Sequence, residues 1–317
     1  MTAQDFSSWI AEEKGSDVLQ QIMFTSVMER IGAHVPMRTN KFDVPRDGGV
    51  SVGVVAKSAS YSESTANNDD IVLTATKFGS AVRIAEEDIE DTSIDILTIK
   101  KKAWARQYAK MFDNACLGTT AAVGAGVPFT SLYLALKSAD SNAGYSANAN
   151  YTSAAPSAFG YTNLSNVMGL VESGNFFDDG QMCWIAHPAF KAYVRNITGL
   201  TYNGAASGTT SNGMPVFVDG REGDGLPPTI LGYPVYWTQG AKTSATALSN
   251  PGGNSLLFFV NKDYLIVGDR TPVESMVAGA DSGPAFLTDE ALLKVRTRKG
   301  YGTGFPQAAS VLELIGG

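Results

Sequence analysis

The chain holds only two cysteines and two histidines in 317 residues, and its 24 basic side chains are outnumbered by 31 acidic ones. Cys116 and Cys183 could form one disulfide at most. Cys116 falls near the end of a long helical stretch and Cys183 in an apolar strand, so both are expected as buried, reduced thiols. No Cys/His grouping has zinc spacing. His187 precedes Pro188 at a strand-to-helix turn and reads as a hydrogen-bonded structural histidine. The formal net charge of -7 argues against a free nucleic-acid binder, which needs a basic face to displace counterions. It does not exclude a shell that encloses DNA. No apolar run approaches the ~20 residues of a membrane span. The N-terminal MTAQDFSSWIAEEKGSD lacks the basic-then-apolar order of a signal peptide. A soluble chain made in a reducing cytoplasm is expected.

Recognisable chemistry is also scarce. Asp281-Ser282-Gly283-Pro284 is similar to a serine-protease site, but that chemistry needs a histidine base oriented by a carboxylate, so the segment reads as a turn. Gly300, Gly302 and Gly304 lack the helix and lysine of a nucleotide loop and are expected to relieve a tight strand bend. Asp219, Glu222 and Asp224 could gather around Ca²⁺, although their spacing misses the calcium-loop pattern. The sequence therefore points to no catalytic site, no metal and no cofactor.

What is present is a globular composition, 44% hydrophobic and 17% charged, with a length that suggests about two domains. Residues 1–36 read as an arm: Val18, Leu19, Ile22, Met23, Val27 and Ile31 recur at helical spacing, and Gly32 and Pro36 end the helix. Residues 37–85 read as an extended β-hairpin loop. Val50, Val52 and Val54 alternate with small residues, and across a polar tip Ile71, Leu73 and Ala75 do the same. The tip, 61–70, has almost nothing to bury, and two strands alone are marginal in water. The loop therefore needs a surface outside its own domain, which points to an assembly. Five acids, Glu86 to Asp91, lead into a helix in SIDILTIKKKAWARQYAKMFDNACLG. Thr92 is its expected cap, and Leu97, Trp104, Tyr108, Met111 and Ala115 form its apolar stripe. Residues 119–160 read as loop with a little helix. From Tyr161 an α/β pattern follows: a helix at 164–172, a strand at 182–186, a helix at 189–196 after Pro188, and short strands at 216–218, 234–238, 256–260 and 264–267. The last segments lie at 274–278, 292–298 and 311–315.

This order of parts resembles the major capsid proteins of tailed bacteriophages, the Hong Kong phage capsid fold. The resemblance rests on the line LTATKFGSAVRIAEEDIEDTSIDI before the long helix, the helix end Asp113-Asn114-Ala115-Cys116-Leu117-Gly118, and the strand–Pro–helix unit CWIAHPAFKAYVRNI. It rests further on Leu231-Gly232-Tyr233-Pro234-Val235, the pair Asp269-Arg270, and the terminal KVRTRKGYGTGFPQ and AASVLELI. It implies an α+β fold: a peripheral domain, 86–160 with 285–317, built on the long spine helix, and an axial domain at 161–284. It implies self-assembly as hexamers and pentamers into an icosahedral head shell, a virion component put together in the bacterial host cytoplasm. The packaged double-stranded DNA would be enclosed without sequence-specific binding and without a membrane. Many family members carry a long N-terminal scaffolding segment; with only residues 1–36 ahead of the loop, a separate scaffolding protein is expected, with a portal and decoration proteins as further partners. Lys57 and Lys77 lie in the loop, but nothing around them identifies a crosslinking partner. Lys57, Tyr61, Lys77, Phe78, Arg296 and Arg298 are the candidates for contact between subunits. Two other readings stand beside this one: an encapsulin-like bacterial nanocompartment shell, and a monomeric β-rich binding or hydrolytic protein with a site in the loop 199–228.

Overall fold

A computed structural model describes residues 25–50, 52–61, 63, 68–91, 95–197, 216–218, 228–248, 251–278 and 289–316. The elements, in chain order, begin with α1 (Val27–Ile31), β1 (Ala33–Pro36), β2 (Lys41–Arg46), β3 (Asp69–Thr74), β4 (Thr76–Ala85), α2 (Glu86–Asp91), α3 (Ile96–Leu117) and α4 (Leu132–Lys137). There follow β5 (Tyr151–Ala154), α5 (Tyr161–Glu172), β6 (Met182–Ala186), α6 (Phe190–Arg195), β7 (Phe217–Val218), β8 (Thr229–Ile230) and β9 (Tyr233–Trp237). The last are β10 (Ser255–Asn261), β11 (Leu265–Ala278), β12 (Glu290–Thr303) and β13 (Ala309–Leu314). This is the expected α+β class.

Two sheets carry the body, and a third, two-stranded one leaves it. The larger has the order β5-β13-β10-β6-β9-β8-β7. Every residue of β6, β10 and β13 is buried, the pattern of strands covered on both faces. Alternation assigns the faces: Cys183, Ile185, Phe258, Val260 and Val311 point to one core with Phe112 and Leu117 of α3. Trp184, Leu257, Phe259 and Leu312 point to the other, with Leu164 and Val167 of α5 and Phe190 of α6. The smaller sheet has the order β1-β11-β12-β4 and reaches the first core through Phe78, Val267 and Tyr301. The strand pairing crosses both expected domain boundaries. β11 lies within 161–284 but pairs with β1 and β12, whereas β5 and β13 lie outside that range and complete the larger sheet.

α3 is a rod of 22 residues, about 33 Å long. Its cap is Asp95, whose carboxylate accepts from the Thr98 N–H at 3.0 Å; the expected cap, Thr92, lies outside the described residues. Gly118 ends it as expected. The aromatic ladder Trp104–Tyr108–Phe112 stacks along one face, with centroids 5.0 and 5.7 Å apart. The five acids ahead of it form the separate short helix α2.

Where the described chain begins, the expected arm is part of the body. Ser26 caps α1, Val27 and Met28 are buried, and β1 runs parallel to β11. Asp113, fully buried in α3, holds this segment. It accepts from Ser26 Oγ at 2.6 Å and from the Val27 and Met28 N–H groups at 3.0 and 3.1 Å, and from Thr238 Oγ1 at 2.5 Å. Burial pushes its carboxyl above the usual range, against the pull of those four donors. Residues 1–24 lie outside the described residues. Both cysteines are buried and free, as expected. His187 is a structural histidine: Nδ1 accepts from the Ala189 N–H, and burial lowers the ring to about 4.

Candidate functional site

The extended loop departs from the pairing read in the sequence. The partner of β3 is β2, with Phe42 opposite Leu73 and Arg46 opposite Asp69, not the stretch of alternating valines. Pro45 and Asp43 disguise β2 as a turn, yet Pro is tolerated because β2 is an edge strand. The stem also buries more than expected. Leu73 and Ala75 form a small core with Met37 and Ile266. Gly302 makes room for it, since a Cβ there would stand 2.6 Å from Leu73 Cδ2 and 3.0 Å from Ile71 Cγ2. Gly300 and Gly302 of β12 thus serve close approach of the stem, a role the sequence reading did not anticipate. The other end of the stem is fixed by Arg46, whose side chain is only 7% exposed. Its Nε donates to Asp69 Oδ1 at 2.7 Å, its Nη1 to Asp140 Oδ2 at 2.8 Å and to the Gly304 carbonyl at 3.0 Å. Its Nη2 donates to Asp69 Oδ2 and, at 3.3 Å, to Asp140 Oδ1, and the guanidinium lies over the Phe305 ring. The hydrogen bond to Asp69 keeps the guanidinium charged and holds the Asp69 carboxyl below the usual range.

Beyond Arg46 the loop has no strand structure among the described residues up to 61. Gly49 turns the chain at φ +77°, a conformation that favours glycine. Val50, Val52, Val54 and Tyr61 are 77, 95, 105 and 85% exposed, so the period-2 apolar pattern stands in solvent, not packed among the described residues. A second exposed apolar strip, Val273, Met276 and Val277, lies on the distal half of β11. Lys57 and Lys77 are exposed as well.

Of the other expected contact residues, Phe78 is buried, while Arg296 and Arg298 stay half-buried and make contacts within the chain. Phe78 is 5% exposed and packs against Tyr108, Phe112 and Phe129 at centroid distances of 5.7 to 5.9 Å, so it is a core residue. Its position in the inward register of β4 explains this. Arg296 pairs with Glu274 directly across the β11–β12 ladder at 2.9 Å, and Arg298 donates to Asn40 Oδ1 at 2.7 Å. Lys299 bridges Asp269 at 2.6 Å and Glu29 at 3.2 Å, and His34 meets Asp269 at 2.7 Å. Burial opposes ionisation of Asp269, but Lys299 and His34 outweigh it and hold the carboxyl below its usual range. Arg46 itself carries no distinguishing sequence signal, because VPRDGG reads as an ordinary turn.

Among the described residues, no group of three or more potential ligands could hold a metal ion, and no helix is long and apolar enough to cross a membrane. The segments 281–284 and 219–224, with their serine and calcium motifs, lie outside the described residues. A groove of about 490 Å³ runs beside the stem, lined by Val72, Val123, Pro128, Ala139 and Tyr301 with Asp140 at its rim.

The fold has close counterparts among solved structures. The chain superposes on the capsid of a native GTA particle with a TM-score of 0.69 at 17% identity, covering 98% of this chain and 97% of that one. Mycobacterium phage Bobi gives 0.68 at 16% identity over 98% and 97%, and Microbacterium phage Oxtober96 gives 0.66 at 15% over the same shares. No protein of curated function matches the chain in sequence. The sequence pattern of the Phage capsid family, however, matches residues 9–313, nearly the whole of the chain, and the chain belongs to that family.

Proposed function

We propose that this protein is the major capsid protein of a tailed phage, its copies closing as hexamers and pentamers into an icosahedral head. The family membership carries a structural, non-enzymatic role in the virion shell, and shell formation requires self-association. The observation that carries the finer reading is the loop beyond Arg46, with four large apolar side chains in water and no strand pairing among its described residues up to 61. A neighbouring copy would supply the missing ladder and the missing apolar surface, and a closed ring satisfies each such patch once per subunit. Lys57, Tyr61 and Lys77, all exposed, and Arg296 and Arg298, both half-buried, remain contact candidates in this reading; Phe78 lies in the core. The domain division follows the two sheets: a peripheral part around the four-stranded sheet, the stem and the amino-terminal half of α3, and an axial part around β6 to β9 with α5 and α6. Assembly in the host cytoplasm, a separate scaffolding protein, a portal, decoration proteins, and double-stranded DNA enclosed without sequence reading complete the proposal. The acidic balance of the chain suits a shell that tolerates DNA more than one that grips it.

The test replaces residues 47–68 by Asn-Gly, a two-residue hairpin turn that keeps Arg46 opposite Asp69. The expected product is a soluble subunit with its thermal transition within a few degrees of the parent and no shells by electron microscopy. Shells of normal size from this chain would contradict the loop's role.

A further inference from the structure

We infer that Arg46 is the positioning residue for the loop: it sets the direction in which the stem leaves the body, and through that direction decides whether copies can close into a shell. The inference rests on the reading of the loop as an intersubunit element.

The argument begins with valence. A guanidinium has five N–H donors in a fixed planar fork. Here all five are used: one from Nε to Asp69, two from Nη1 to Asp140 and Gly304, and two from Nη2 to Asp69 and Asp140. Asp69 belongs to the stem, while Asp140, Gly304 and Phe305 belong to the body. The fork therefore joins the two strands to each other and the pair to the body at one buried point. The other fixed point is the apolar contact of Leu73 and Ala75 with Met37 and Ile266, toward the opposite end of β3. Two points define a line, and only the polar one constrains the end from which the loop departs. Immediately beyond it come Gly48, whose N–H is held by Asn68 Oδ1 at 3.0 Å, and the left-handed Gly49.

Leverage makes this point consequential. Eight extended residues beyond the clamp reach about 26 Å, so a swing of about 10° displaces their end by about 5 Å, the spacing between adjacent strands. An error of that size costs a docking strand its register. A lysine at position 46 would keep the charge but offers three donors from a single atom and no planar fork.

The test uses the full chain. Asp140→Ala removes the carboxylate that ties the fork to the body, leaving the Gly304 hydrogen bond and the Arg46–Asp69 pair intact; Arg46→Lys removes the fork and keeps the charge. Spin labels on cysteines introduced at Asp70, on the exposed stem, and Ser173, on the exposed end of α5, report stem direction, since Cys116 and Cys183 are fully buried. The expected result for both variants is at least a twofold broadening of the label–label distance distribution and at least a tenfold loss of closed shells. The subunit should still unfold cooperatively within a few degrees of the parent. Parental shell yield with an unchanged distribution in either variant would overturn the inference. Failure of the underlying reading is separately visible: the Asn-Gly replacement of 47–68 would then assemble normally, whatever the labels report.

Discussion

The seven-stranded sheet and the loop stem are built from the same kinds of residue and reach opposite ends of self-sufficiency. In the sheet, alternate residues of β6, β10 and β13 enter two different cores, and helices cover both faces, so each large side chain finds its neighbours within the chain. In the stem, Leu73 and Ala75 do the same, but a few residues away Val50, Val52 and Val54 repeat the apolar alternation with nothing against it. Apolar patterning by itself did not decide burial. What decided it was whether the chain folds back with a second layer. A single copy completes the sheet, and the loop is the part that the proposed contact between copies would complete.

That contrast can be broken first at its strong end. Phe258→Ala in β10 removes a fully buried ring from the core shared with α3 and is expected to cost about 3–5 kcal/mol in urea unfolding. A loss of less than about 1 kcal/mol would mean the sheet is not the stabilising unit.

A middle-sized effect tests how the chain's C-terminal strand is tied in. Glu313 of β13 accepts from the Tyr133 and Tyr151 hydroxyls at 2.8 and 2.7 Å and from Asn254 Nδ2 at 2.6 Å. Burial alone would raise its carboxyl, but these donors outweigh burial and hold it below the usual range. A depressed folded value means that Glu313 contributes stability above its unfolded value, near 4.3, which is lost as pH falls through the folded value. Glu313→Gln should destabilise by about 1–3 kcal/mol at pH 7 and flatten the acid slope of stability. Asp113 has the opposite sign, its carboxyl being raised by burial, so its ionisation opposes folding and its contribution improves as pH falls. An unchanged acid slope in the Glu313 variant would remove this account of the strand.

The smallest stability effect is expected where the assembly effect is greatest. Val50, Val52 and Val54 all changed to Ser should alter subunit stability by no more than about 0.5 kcal/mol, because the side chains touch nothing. The same chain should lose its shells. A clear stability loss would place these valines against their own body.

Much of this was legible in the sequence, for physical reasons that also mark the limit. MCWIA stood out because a strand covered on both faces must be apolar throughout, and its bounds were found at Met182–Ala186. Gly118 was legible as a helix end because glycine commonly follows the last helical turn, and the structure adds a steric need, since a Cβ there would collide with the Lys242 carbonyl oxygen. The stem was misread because strand pairing is non-local: the valines offered the better β pattern, but FDVPR lay in register with DDIVLT. β4 escaped notice since Gly79, Ser80 and Lys77 dilute its alternation, and with it went the inward placement of Phe78. Arg46 was invisible because its importance comes from Asp140 and Gly304, brought to it from 94 and 258 residues away.

Amide hydrogen exchange, compared between free subunits and closed shells, puts the central contrast to its most direct trial. The account predicts that β6, β10 and β13 exchange slowly in both, while residues 47–61 exchange within seconds in the free subunit and become protected in the shell. Slow exchange at 47–61 in the free subunit, or the same rapid exchange in the shell, would contradict it.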